Sequence, residues 1–167
     1  SMQYLLRGMA IPFGLATVLL AFLTTRMLFP TDRFLLITVP AFVAFQPQIS
    51  YESAMVNNDI VAIALFSLLI WGIVAGMKSA FPARLCLLMG VALGAGLLVK
   101  STTATIAPVI ALAMLWTLGI RDWRRLITRG LLVVVPAAIM AAPWYLYLYR
   151  TYGDFSGLKR VAELQYW

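Results

Sequence analysis

Six apolar runs, broken only by short polar connectors, make up most of this chain and leave it few folds to choose from. They read as Gly8–Phe29, Phe34–Ile49, Ile60–Met77, Leu85–Val99, Thr102–Ile120 and Leu126–Tyr149. A helix perpendicular to a bilayer needs about 20 residues to cross the hydrocarbon core. The second and fourth runs fall short of that measure, so they extend into their polar flanks or stop at a water-filled cavity. Hydrophobic residues make up 63% of the 167, with a mean hydropathy of +0.93. A soluble domain of this size could not bury so much apolar surface. In lipid every backbone polar group must be satisfied within the chain, which favours helices. The expected fold is therefore all-α, a polytopic bundle of about six membrane segments forming one domain over residues 1–167. Pro40, Pro108, Pro136 and Pro143 fall inside the runs, where neighbouring helices can satisfy the backbone groups that a kink frees. The first run is too long for a secretory signal, and no small-residue cleavage site follows it.

Composition removes several function classes. The chain has no histidine, which argues against a His-based zinc or haem site and a Ser-His-Asp triad. Its single cysteine, Cys86, lies inside an apolar run and cannot form an internal disulfide. There is no P-loop, no GxGxxG, no nucleic-acid motif and no convincing repeat. The net charge of +7 is not a nucleic-acid signature, because the basic residues sit mostly in short connectors. With alternating sides, one set of connectors holds Arg26, Arg33, Lys78, Arg84, Arg121, Arg124, Arg125 and Arg129, eight of the thirteen. The other holds Arg7, Lys100, Arg150, Lys159 and Arg160. The positive-inside rule places the first set in the cytoplasm, with Arg121–Gly130 as the clearest inside loop and Trp123 as its interfacial anchor. Both termini then fall outside.

The polar stretch Gln46–Asp59, QPQISYESAMVNND, stands out against this background. It gathers Glu52 and Asp59 with Asn57, Asn58, Ser50 and Ser53, in a chain with only six acids. Ionisable groups at a membrane boundary are costly and usually tied to function. Asp59 opens an apolar run, which predicts a helix N-terminus, where negative charge and anion ligands are favoured. Asn57, Asn58 and Asp59 also suit plain capping, and the two roles are compatible. On the same side, Lys100 ends the glycine-rich GVALGAGLLVK and is followed by Ser101, Thr102 and Thr103. Gly90 and Gly94 form a GxxxG pair suited to close helix approach. A lysine followed by three hydroxyls can hold phosphate, or the lysine can simply snorkel from a helix end. Trp144, Tyr145, Tyr147, Tyr149, Tyr152 and Trp167 suit an interfacial belt or substrate stacking. Asp154, flanked by Gly153 and Gly157, reads as a turn residue.

Three elements in order, FQPQISYESAMVNNDIVAIAL, GVALGAGLLVKSTT and APWYLYLYRTYGDFSG, resemble the GT-C class of polytopic glycosyltransferases. The likeness is to bacterial relatives of the protein O-mannosyltransferase and aminoarabinose transferase group, over about Pro40–Gly157. It implies transfer of a sugar from a polyprenyl-phosphate donor, at the external membrane face of a bacterial plasma membrane, onto a lipid, glycan or protein. Membrane lipids and the lipid-linked sugar are the implied partners, with no nucleic acid. The resemblance matches Asp59 to the family's acid of the second external loop. Asp59 then supports a divalent metal, Mg or Mn, or orients substrate. Lys100 is the implied contact for the donor phosphate, with Ser101 and Thr102 beside it; Asn58 and Glu52 are further polar contacts, Glu52 as a second catalytic carboxylate. One departure matters. The family's principal catalytic acid lies in the first external loop, and the first run here corresponds to the family's second helix. Asp32 sits in a connector predicted to be cytoplasmic and cannot substitute. The sequence therefore reads as a fragment of a larger enzyme's membrane domain, expected to be inactive alone and completed by the remainder of the same polypeptide. A transporter or flippase module is the alternative, but it would carry a charge at a helix centre, whereas Glu52, Asp59 and Lys100 sit at ends. A non-catalytic membrane scaffold is a third reading.

Overall fold

A computed structural model describes residues 2–55, 57–153 and 155. The side chain of Arg7, and Asp154, Lys159, Arg160 and Trp167, lie outside the described residues. The described chain is an all-α bundle without strands: α1 (Met2–Leu28), α2 (Arg33–Ala44), α3 (Pro47–Ala54), α4 (Asp59–Ser79), α5 (Ala83–Val99), α6 (Ala107–Leu118) and α7 (Trp123–Tyr152). Two short 3-10 segments, Ser101–Ile106 and Ile120–Asp122, lead into α6 and α7. Among the described residues, four helical segments are long and apolar enough to cross a membrane, and a bent α2–α3 pair would make a fifth. α5 is apolar but has only 17 residues.

Three departures from the sequence reading have local causes. The second run is not one helix: α2 and α3 meet at a bend of 48°. Pro47 lacks an N–H and cannot continue α2, but it suits the first turn of a new helix, and that is where it sits. Much of the expected loop Gln46–Asp59 is therefore the short helix α3. Pro108 likewise lies in the first turn of α6 rather than kinking a helix interior. Arg121–Gly130 is not a loop either. The Asp122 carboxylate accepts from the Arg125 N–H at 3.4 Å, and the helix runs on from Trp123. Asp32 caps α2 in the same way, accepting from the Leu35 N–H at 3.1 Å.

α5 is the centre of the bundle. Cys86, Met89, Ala92 and Leu93 on it are buried, and its most extensive contact is with α7. The GxxxG pair makes that contact possible: a Cβ on Gly90 would lie 2.6 Å from the Val133 carbonyl oxygen, and one on Gly94 would lie 3.0 Å from the Ala137 Cα. α4 and α5 form a tight antiparallel hairpin whose turn puts Ala80 and Phe81 at φ of 55° and 51°. The hairpin brings the start of α4 to the end of α5. The helix ends fall into two groups. At one, the Lys78 ammonium donates to the Met27 carbonyl, and Arg125 Nη2 donates to the Ala80 carbonyl at 3.2 Å. At the other, Asn58 Nδ2 donates to the Val99 carbonyl at 2.8 Å and the Tyr145 hydroxyl to the Leu97 carbonyl at 3.0 Å.

Candidate active site

The second group of helix ends carries the polar residues that the sequence singled out. Asp59 is the first residue of α4, as its place before an apolar run predicts. Asn58 precedes it but makes no side-chain cap; its amide is committed to Val99 across the hairpin. The capping contact comes from Asn57, whose Oδ1 accepts from the Asp59 N–H at 3.2 Å. Lys100 leaves the C-terminus of α5 in extended backbone, with φ −156° and ψ 122°, and is half exposed. Its Nζ lies 2.6 Å from Asp59 Oδ1. It is the only ion pair among the described residues, and it spans 41 positions of sequence.

Glu52 completes the wall from α3. It is buried, which for a carboxylate requires hydrogen-bonding partners. Gln48, one helical turn earlier, donates Nε2 to Oε1 at 2.6 Å, and Asn57 Nδ2 donates to Oε2. Asn57 thus ties the buried carboxylate to the N-terminus of α4, one bond on each side. Glu52, Asp59 and Lys100 line a cavity of about 290 Å³ together with Gln48, Phe66, Thr102, Thr103 and Thr105. Thr103 is buried with its hydroxyl on the Gly96 carbonyl, 3.1 Å away. The Thr105 hydroxyl donates to the Thr102 carbonyl at 2.8 Å. The cavity therefore presents one cation, two carboxylates, an amide and threonine side chains in a single concave surface. That combination can take up an anion at Lys100 and the hydroxyls of a polar ligand at the carboxylates and amide.

Four of the residues chosen from sequence, Asp59, Glu52, Lys100 and Thr102, meet at this cavity. Two do not. Asn58 turns to Val99, and Ser101 faces a neighbouring cavity bounded by α5 and α7. Gln48 and Thr105 were missed. Gln48 stands four residues before Glu52, a spacing that pairs side chains once the segment is known to be helical. The described residues do not form a closed cage for a divalent metal. Among the described residues no three of His, Cys, Asp and Glu come together. Asp59 already faces an ammonium, and both Glu52 oxygens accept amide hydrogens. A magnesium site commonly takes one or two carboxylates, with water and substrate phosphate filling the other positions, and Asp59 is the carboxylate here whose oxygens do not accept side-chain amide hydrogens.

Comparison with known proteins agrees with this architecture. Residues 4–154 match the family model described as dolichyl-phosphate-mannose-protein mannosyltransferase. Over 69 residues the chain is 38% identical to the undecaprenyl phosphate-alpha-4-amino-4-deoxy-L-arabinose arabinosyl transferase of Erwinia tasmaniensis. That stretch covers 41% of this chain and 12% of the relative's length. No solved structure matches.

Proposed function

The chain belongs to the dolichyl-phosphate-mannose-protein mannosyltransferase family, and we propose that it forms the donor-phosphate part of the active site of an integral-membrane glycosyltransferase. The donor is a sugar carried on a polyprenyl phosphate, the acceptor bears a free hydroxyl, and the reaction runs at the external membrane face. The observation that carries this reading is the Lys100–Asp59 pair in the wall of a cavity at the helix ends. A lipid-linked phosphate arrives at this depth, and Lys100 is the cation that meets it.

Chemically, the acceptor oxygen forms a bond to the anomeric carbon. The bond from that carbon to the phosphate oxygen breaks, and its electron pair stays on the polyprenyl phosphate. The acceptor's proton passes to a carboxylate base, which the resemblance puts in the family's first external loop. Lys100 turns from Asp59 to the phosphate and stabilises the charge that grows there as the bond breaks. Asp59, released from the ammonium, accepts hydrogen bonds from sugar hydroxyls and orients the ring. Glu52 is a positioning residue: its oxygens accept from Gln48 and Asn57, and Asn57 holds the start of α4.

The test is transfer from polyprenyl-linked donors by the complete enzyme. Lys100→Met keeps an unbranched apolar stem and removes the charge, while Asp59→Asn keeps the shape. Each is expected to lower turnover by about 10²-fold or more, the scale for one positioned electrostatic group. Near-normal turnover in both variants would overturn the assignment, as would vectorial movement of the carrier without any transfer.

A further inference from the structure

Lys100 also lines a second cavity, on its other side. It has about 290 Å³ and lies between the end of α5 and the last turns of α7, bounded by Leu97, Lys100, Ser101, Trp144, Tyr145 and Phe155. We propose that it is a subsite for a single sugar ring, stacked on the aromatic side chains next to Lys100. The inference rests on the transferase reading only for the choice of ligand.

Three observations carry it. The first is size: small-molecule pockets start at about 300 Å³, so this cavity takes one ring and not a chain. The second is chemistry. A pyranose presents a face of C–H groups with hydroxyls around its edge, so it needs flat apolar surface and polar groups together. Trp144, Tyr145 and Phe155 supply the surface, and Ser101 and Lys100 are the polar and charged residues of the lining. The third is order. Tyr145 is half-buried, and its hydroxyl is bonded to the Leu97 carbonyl of α5, not left free for the membrane interface. Trp144 stacks on Tyr147 with centroids 5.9 Å apart, and Phe155 on Tyr149 at 4.7 Å. The rings at this cavity are each held by a neighbour, so a ligand meets a formed surface. Because Lys100 borders both cavities, a ring here lies within one residue of the phosphate position. The ring belongs either to the donor or to a sugar of the acceptor.

Saturation-transfer NMR on the full-length enzyme in nanodiscs, with methyl hexopyranosides and methyl pentopyranosides as probes, tests the subsite. The C–H protons of one ring face should saturate most strongly. Trp144→Leu should weaken glycoside binding by about three- to tenfold, as expected for loss of one aromatic contact. Phe155→Leu should weaken it in the same direction; Phe155 is 55% exposed and lies beyond the last helix, so this variant guards against a folding artefact. Asp59→Asn, which removes a sugar-hydroxyl acceptor at the other cavity, should lower turnover while weakening glycoside binding less than Trp144→Leu does. That result separates the two proposals: glycoside binding without transfer in any protein would sink the transferase reading and leave the subsite standing. The source of the ring follows from the carrier. If Trp144→Leu weakens binding of the sugar-bearing polyprenyl phosphate but not of the bare one, the ring is the donor's and Asp59 does not orient it. If both carriers bind as before while glycosides are lost, it is the acceptor's. Equal glycoside saturation in wild type, Trp144→Leu and Phe155→Leu, or none in any of them, would overturn the subsite and leave the rings as an interfacial belt.

Discussion

Lys100 Nζ sits 2.6 Å from Asp59 Oδ1, joining the last turn of α5 to the first residue of α4. Both side chains remain accessible, at 45% and 34%. An ion pair that exposed contributes about 0–1 kcal/mol once solvent screening and side-chain entropy are counted. It is too weak to account for the hairpin, which the buried faces of α4 and α5 already hold together.

Asp59→Asn and Lys100→Met should therefore unfold within about 1 kcal/mol of the wild type. Chemical denaturation in detergent micelles measures this. A loss of several kcal/mol would identify the pair as a structural staple, and a fall in turnover could then be attributed to unfolding.

Glu52 offers a sharper separation of positioning from chemistry. In Glu52→Gln the new amide oxygen can still accept from Asn57, and the exposed Gln48 amide can turn over to face the new NH₂ group. This variant should keep its stability and lose less than about tenfold in turnover. Glu52→Leu leaves the Asn57 amide without its acceptor, a cost of about 1–3 kcal/mol, and loosens the start of α4. Comparable turnover losses in the two variants, with Glu52→Gln fully folded, would restore Glu52 to the catalytic role that the sequence suggested.

The α5–α7 contact predicts opposite signs for two glycines. A Cβ on Gly90 meets backbone oxygens of Val133 and Leu132 at 2.6 and 2.9 Å, so Gly90→Ala must push the helices apart. The expected cost is about 1–3 kcal/mol. A Cβ on Gly130 has nothing within 4 Å, and Gly130 lies within α7. Gly130→Ala should be neutral or stabilise by about 0.5–1 kcal/mol through helix propensity. Thermal denaturation of the two single variants in one detergent decides it.

The two groups of helix ends predict a labelling pattern. With buried Cys86 replaced by alanine, a cysteine at exposed Gln48 should react with an impermeant maleimide on intact cells. One at exposed Arg125 should react only after permeabilisation, following the positive-inside rule. Labelling of position 125 from outside would invert the orientation and overturn the proposal of an external active site.

Much of this was legible because apolar periods and end-of-run charges are local signals. The start of α4 at Asp59 follows from an acid placed before an apolar run. The meeting of Lys100 with Asp59 follows from hairpin topology, since two consecutive antiparallel helices must bring the first start to the second end. The break at Pro47 was hidden by continuous hydrophobicity, which carries no information on backbone donors. The Gln48–Glu52–Asn57 network was hidden for a related reason: PQISYESA is polar enough to read as loop, and only as a helix does it place residues 48 and 52 on one side. Ser101 shows the limit of reading consecutive hydroxyls as one site. In a 3-10 segment successive side chains point about 120° apart, so Ser101 and Thr102 open onto different cavities.

The length of α7 has a consequence for where these cavities lie. Thirty residues at about 1.5 Å each give a rod of about 45 Å. To stay within a hydrocarbon layer about 30 Å thick it would have to lean by roughly 50°, past the range of about 0–40° that spanning helices adopt. It must therefore protrude. Trp123 and Trp144 lie 21 positions apart (144 − 123), or about 32 Å along the axis, nearly the thickness of that layer. If these two indoles mark the boundaries, the residues after Trp144 rise like a mast among the lipid headgroups. Tyr145 and the end of α5 to which it is bonded would then stand at the level where a carrier's isoprenoid tail ends and its phosphate begins.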